Sequence, residues 1–171
     1  MITKEHDLKT TAIYSDNQKY RYSLTKMWNE EKPKATFVGI NPSDATELIM
    51  DKTVMNLMNH LICKGYGQVE VVNLYAYRSK EQNGLINRED KFEMVNVEYV
   101  RQAIKGSKLI IVGWGRDADG KAKYKDALDT VKREIFYFKD RVKCFRDNKG
   151  NVICHLSIGY SDEWSLVDYP F

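Results

Sequence analysis

Three short apolar runs, at residues 36–40 (TFVGI), 69–74 (VEVVNL) and 109–113 (LIIVG), recur along the chain with helix-patterned stretches between them. A run without polar alternation is what a parallel strand buried on both faces requires. The first intervening stretch starts near Asp51, a residue able to cap a helix, and places Val54, Leu57, Met58, Leu61 and Ile62 on one face before Gly65 stops it. The second covers residues 91–105, with Phe92, Val95, Tyr99, Val100 and Ile104 inward and Gly106 at its end. A third helical face runs Tyr124, Leu128, Val131, Ile135, Phe138, and a fourth strand is expected near residues 142–145. Ahead of this series, AIYS, a turn at Asp16-Asn17 and KYRYSLTKMW read as a β-hairpin. Strands alternating with helices imply right-handed crossovers. The expected fold is therefore an α/β protein, a three-layer α/β/α sandwich with a mainly parallel four-stranded sheet and an N-terminal β-hairpin.

At 171 residues the chain suits one domain, with residues 1–33 as the hairpin extension and 34–171 as the α/β core. Hydrophobic residues at 43% and charged residues at 30% exclude a disordered chain. No segment approaches the ~18 apolar residues of a membrane span, and MITKEHDLKT lacks the apolar centre of a signal peptide, so a cytoplasmic location and no membrane partner are expected. Cys63, Cys144 and Cys154 form no Cys-x-x-Cys pair and read as buried thiols. A net charge of +3 does not announce a nucleic-acid binder, but residues 116–149 carry 11 basic against 7 acidic side chains. Lys121, Lys123, Lys125, Lys132 and Arg133 read as a solvated helix face.

Ligands of α/β sheets bind beyond the carboxyl ends of the strands. After the first strand stands Gly39-Ile40-Asn41-Pro42-Ser43-Asp44, suited to a tight turn with close backbone approach. After the second comes Asn73-Leu74-Tyr75-Ala76-Tyr77-Arg78, which sets an amide in an apolar strand end and obliges it to find partners. Trp114-Gly115-Arg116 follows the third, and Cys154-His155-Leu156-Ser157 stands near the chain's end. On the residues alone, His155 reads either as a core histidine or as a catalytic one, and Tyr75, Tyr77 and Trp114 either stack on a ligand or pack. Arg116-Asp117-Ala118-Asp119-Gly120 lacks the remaining acids of a calcium loop and reads as helix capping; no metal and no cofactor are expected.

In this order the four sites resemble the uracil-DNA glycosylase superfamily, which carries Gly-x-(Asp/Asn)-Pro after strand one, Asn closing strand two, often Trp-Gly after strand three, and a His-Pro-Ser type loop. The chain is more closely similar to a bacterial and phage family catalogued as a domain of unknown function, through Tyr20-Arg21-Tyr22-Ser23-Leu24, Asn41-Pro42-Ser43 and Asp51-Lys52-Thr53. The glycosylase resemblance implies a hydrolase acting on the N-glycosidic bond of a nucleobase in DNA. By it, Asn41 holds the attacking water, Asn73 reads the base edge, His155 donates to the departing base and Ser157 contacts phosphate, with Gly39, Pro42, Ser43, Tyr75 and Trp114 around the substrate.

An amide at position 41 orients water without taking its proton, so stabilisation of the leaving base would dominate. Ser43 implies a pocket permissive toward a modified base, Leu156 stands where a proline is usual, and Asp44 reads as a surface turn carboxylate, with an alternative general base as the other reading. Ile158, Tyr160 and Trp164 are the candidates for a wedge by position and bulk. The other functions weighed are a catalytically silent nucleic-acid or nucleotide binder, and a hydrolase of free nucleosides or nucleotides.

Overall fold

The computed structural model describes residues 1–79, 84–118, 121–157 and 160–171. Among them run seven strands and three α-helices: β1 (Lys9–Tyr14), β2 (Arg21–Met27), β3 (Lys34–Gly39), α1 (Lys52–Cys63), β4 (Gln68–Asn73), α2 (Asp90–Lys105), β5 (Leu109–Val112), α3 (Lys125–Phe136), β6 (Val142–Arg146) and β7 (Ser165–Asp168). The strands form one sheet in the order β1-β2-β4-β3-β5-β6-β7.

This overturns the expected fold built on a four-stranded, mainly parallel sheet. The sheet has seven strands and is mixed: β4, β3, β5 and β6 pair in parallel, whereas β1–β2, β2–β4 and β6–β7 are antiparallel. The N-terminal hairpin enters the sheet through β2, with Leu24 opposite Val71 and Lys26 opposite Val69. At the other edge β7, which the periodicity does not reveal, pairs Val167 with Cys144. Its four residues lack an apolar run because the strand is only half-buried.

The helices occupy both faces. α2 and α3 cover one with Val100, Ile104, Leu128, Val131 and Ile135 against Val38, Val72 and Val112. α1 covers the other with Val54, Leu57 and Leu61 against Phe37, Val71 and Ile111. Burying side chains of this size contributes roughly 1.5–3 kcal/mol each, which fixes the helices on the sheet.

Local signals explain both ends of α1. Asp51 caps α1, accepting from the Val54 N–H at 2.8 Å, and Gly65 turns the chain out of it with φ +83°. Two inward assignments fail: Ile62 and Val95 are exposed. On α2 the buried position goes to Asn96, whose Nδ2 donates to the carbonyls of Asn73 (3.0 Å) and Leu74 (3.3 Å). An amide wins that position because two carbonyls at the end of β4 need a donor. Of the cysteines only Cys144 is buried, and Cys63 is exposed. No helix among the described residues is long and apolar enough to cross a membrane.

A bulge in the hairpin decides which side of the sheet receives Arg21. Ile13 pairs with Ser23 but Tyr14 with Arg21, so one residue of β2 is skipped. The extra residue breaks the two-residue alternation. Tyr22 stacks on Tyr99 of α2 at 4.9 Å, while Arg21, Leu24 and Lys26 all reach the opposite side of the sheet, where the loop from β3 to α1 passes.

Candidate functional site

The loop leaving β3 is held from below and from the side. Arg21 Nη1 donates to the Ala45 carbonyl and lies 3.5 Å from that of Ser43; Lys26 Nζ donates to the carbonyls of Thr46 and Glu47, each at 2.9 Å. In the orientation that satisfies both ends of its amide, Asn73 donates to the carbonyls of Val72 (3.3 Å) and Asn41 (3.2 Å). Gly39 makes room for it: a Cβ there would stand 2.8 Å from a terminal atom of the Asn73 amide. Asn41 itself donates through Nδ2 to the Ser79 carbonyl at 3.0 Å, which leaves Oδ1 as the atom of this amide able to accept.

Above the loop opens a cleft of about 690 Å³. Asn41, Pro42 and Ser43 line it on one side, His155 and Ser157 on another, and Lys19 and Arg78 bring positive charge. Asp44 and Asp51 are its carboxylates.

His155 has a defined tautomer. The Ser157 N–H donates to Nδ1 at 3.2 Å and the Ser157 hydroxyl stands 2.6 Å from the same atom. A ring nitrogen that accepts a backbone N–H carries no proton, so the neutral ring holds its proton on Nε2. By accessible surface His155 is exposed, yet protein crowds the ring enough that desolvation lowers its pKa below the ordinary 6.5, against an opposing pull from Asp51. The neutral donor form is thereby favoured.

The remaining expected site residues stand elsewhere. Asn73, 3% exposed, spends its amide on backbone and does not line the cleft. Tyr75 lines a separate cleft against α2 and α3, with its hydroxyl donating to the Lys123 carbonyl at 3.0 Å and the Arg88 guanidinium 4.7 Å over its ring. Trp114 is buried edge-on against Tyr169 and lines an adjoining cleft of about 620 Å³. His155 lines that cleft too and so stands between the two. Another cavity, of about 930 Å³, lies along α3 beside Phe171 and gathers none of the strand-end residues.

Of the wedge candidates, Trp164 is buried, Tyr160 is half-buried with its hydroxyl 3.3 Å from His60 Nδ1, and Ile158 lies outside the described residues. So do Asp119 and Gly120 of the calcium-like stretch; Arg116–Ala118 form a single 3-10 turn. Among the described residues no three metal-binding side chains cluster.

Sequence reasoning missed four groups that shape the site. Glu93 on α2 accepts the N–H groups of Ala76 (2.8 Å) and Tyr77 (3.2 Å), and burial raises its pKa. Asn96 holds the end of β4 through its two carbonyl contacts. Arg21 and Lys26 hold the loop after β3. The available signal was the placing of two cations in a strand otherwise built of aromatic, aliphatic and hydroxyl side chains.

Fold and site together define a mixed α/β protein with a polar, histidine-bearing cleft beyond the ends of its parallel strands. Residues 21–155 match a family described as a protein of unknown function, DUF1643, and the chain belongs to that family. No curated protein and no solved structure shows a significant similarity to it.

Proposed function

We propose that this cleft binds a nucleobase-bearing substrate and hydrolyses its N-glycosidic bond. The observation that carries the reading is that Asn41 and His155, distant in sequence, line one cleft in complementary states: an amide oxygen able to orient water, and a neutral imidazole whose proton sits on Nε2. The order of the strand-end motifs, similar to that of uracil-DNA glycosylases, supports the same chemistry.

In this reading the bond between the sugar C1′ and the base nitrogen breaks with its electron pair leaving on the base. His155 donates a hydrogen bond from Nε2 to the base as negative charge develops there. Water positioned by Asn41 bonds to C1′ and its proton passes to Asp44 or Asp51, the carboxylates of the cleft. The substrate is a base in DNA, a modified base among the candidates because Ser43 adds little bulk.

A second reading has one observation in its favour. Asn73 turns its amide to the Asn41 backbone, so the residue that the resemblance assigns to the base edge acts on the loop instead. A nucleotide or nucleic-acid binder without catalysis needs no such reader. Duplex oligonucleotides with uracil, mismatched or hypermodified bases, together with free nucleosides and nucleotides, separate the readings. Abasic sites or free base that disappear in Asn41→Ala and His155→Ala support hydrolysis; intact substrates at high protein concentration, with DNA still bound, leave the binder.

A further inference from the structure

The C-terminal end of α3 presents aromatic rings to solvent. Phe136 is 55% exposed, Tyr137 82% and Phe171 53%, and all three line the cavity along this helix. They are rooted in the core: edge-to-face contacts run outward from buried Trp114 to Tyr169 (5.7 Å), on to Phe171 (5.0 Å) and from there to Phe136 (5.6 Å). Neighbouring exposed aromatics held in fixed positions mark a contact surface rather than a solvated one.

The charges beside them form a pattern. Leu128, Val131 and Ile135 turn inward, so the stripe of α3 that lines the cavity is its outward face. That stripe is laid out evenly about Val131: Thr130 and Lys132 stand one position away, Asp129 and Arg133 two, Asp126 and Phe136 five. Acids occupy its N-terminal half, and Arg133 and the aromatics its C-terminal half. Neither Asp126 nor Asp129 enters an ion pair among the described residues. Arg133 Nε donates to the Asp129 carbonyl at 3.2 Å, which lays the guanidinium along the stripe, and Lys139 Nζ stands 5.9 Å over the Phe136 ring.

We propose that this face pairs with the same face of a second copy of the chain, α3 against α3 in antiparallel order about a two-fold axis at Val131. The axis sets Asp129 opposite the partner's Arg133, and Arg133 opposite the partner's Asp129. It brings Asp126 to the partner's Phe136, over which the partner's Lys139 supplies the opposite charge. A residue that faces its complement and is faced by it in return is what a two-fold contact requires. Parallel pairing would set Asp129 on Asp129 and Arg133 on Arg133, and like charges exclude it. The aromatics supply the apolar area, while the exposed ion pairs fix the register. None of the residues along this cavity lines the His155 cleft, so the pairing stands whether or not that cleft hydrolyses a substrate.

Sedimentation of the full chain from micromolar to millimolar concentration tests the proposal. The wild type should pass from monomer to dimer mass and no further, because a two-fold contact closes on itself. Asp129→Arg and Arg133→Asp each set like charges together twice per dimer and should weaken it by at least about tenfold. Mixed in equal amounts, these two variants should form a dimer within about threefold of the wild-type affinity, since both cross-pairs are then complementary. The double variant Asp129→Arg/Arg133→Asp should recover to the same extent, and Phe136→Ser should remove the dimer.

A wild type that remains monomeric at millimolar concentration overturns the proposal, as does assembly beyond a dimer. Single variants that dimerise like the wild type overturn it too. So does a mixture that stays monomeric while circular dichroism shows both variants folded.

Discussion

The key side chains on the two walls of the cleft are oriented in different ways. The Asn41 wall is tied to distant parts of the chain: Arg21 and Lys26 from the N-terminal hairpin, Asn73 from β4, and Asn96 from α2 behind it. The His155 wall orients its key ring through Ser157, two residues away. Contacts across the fold make a side chain's position part of global stability, whereas a local hydrogen bond sets a tautomer at little cost to the rest. Substitutions of the residues that tie down the first wall should therefore appear as stability, and those at His155 as activity.

The largest effect tests the second wall. His155→Ala should lower base release by about 10²–10⁴-fold while unfolding free energy stays within about 0.5 kcal/mol of wild type. Chemical denaturation beside an abasic-site assay checks both halves, and a large stability loss would erase the contrast between the walls.

Next comes Asn96→Ala, which strips the donor from two carbonyls at the end of β4 and should cost about 3 kcal/mol in urea unfolding. Gly39→Ala should cost about 1–3 kcal/mol, because its new Cβ meets the Asn73 amide and pushes it from the Asn41 carbonyl. If Gly39→Ala instead melts like wild type, the Asn73 tether is not what holds this wall.

The pH dependence sharpens the comparison further. His155 and the buried His60 both have pKa values below the ordinary 6.5, desolvation being the first cause in each. A depressed value means that the unfolded chain binds the proton first. Stability should be level above pH 6.5 and fall as pH drops below it toward the folded-state values. The proposed base release, in which His155 acts as a neutral donor, should persist below pH 6.5 until the folded-state value of this ring is passed. His60→Leu should flatten the stability profile and leave the activity profile in place, as read from parallel denaturation and rate series. The smallest effect belongs to Ser157→Ala: the backbone N–H still fixes the tautomer, so release should fall by no more than about tenfold.

Much of the inner fold was legible in the chain because its signals are local. Apolar runs marked β3, β4 and β5, helical spacing marked α1, and Asp51 and Gly65 bounded that helix as their capping chemistry requires. Asn41, Pro42, Ser43, His155 and Ser157 do line one cleft. Asn73, Tyr75 and Trp114 do not join them there. An amide or an aromatic ring at a strand end can face the ligand or the protein, and sequence position does not choose between the two.

Residue pattern alone determined where β3, β4, β5 and the three helices form and which loops follow those strands, since periodicity and capping act within a few residues. Tertiary structure decided the rest. Pairing across the sheet made it seven-stranded and mixed, and a one-residue bulge put Arg21 on the same side as Leu24 and Lys26. Contacts between elements far apart in the chain turned Asn73 toward the Asn41 backbone. The physical reason is that pairing partners, bulges and the destination of a buried polar group depend on what else occupies the neighbouring space, which no local spacing encodes.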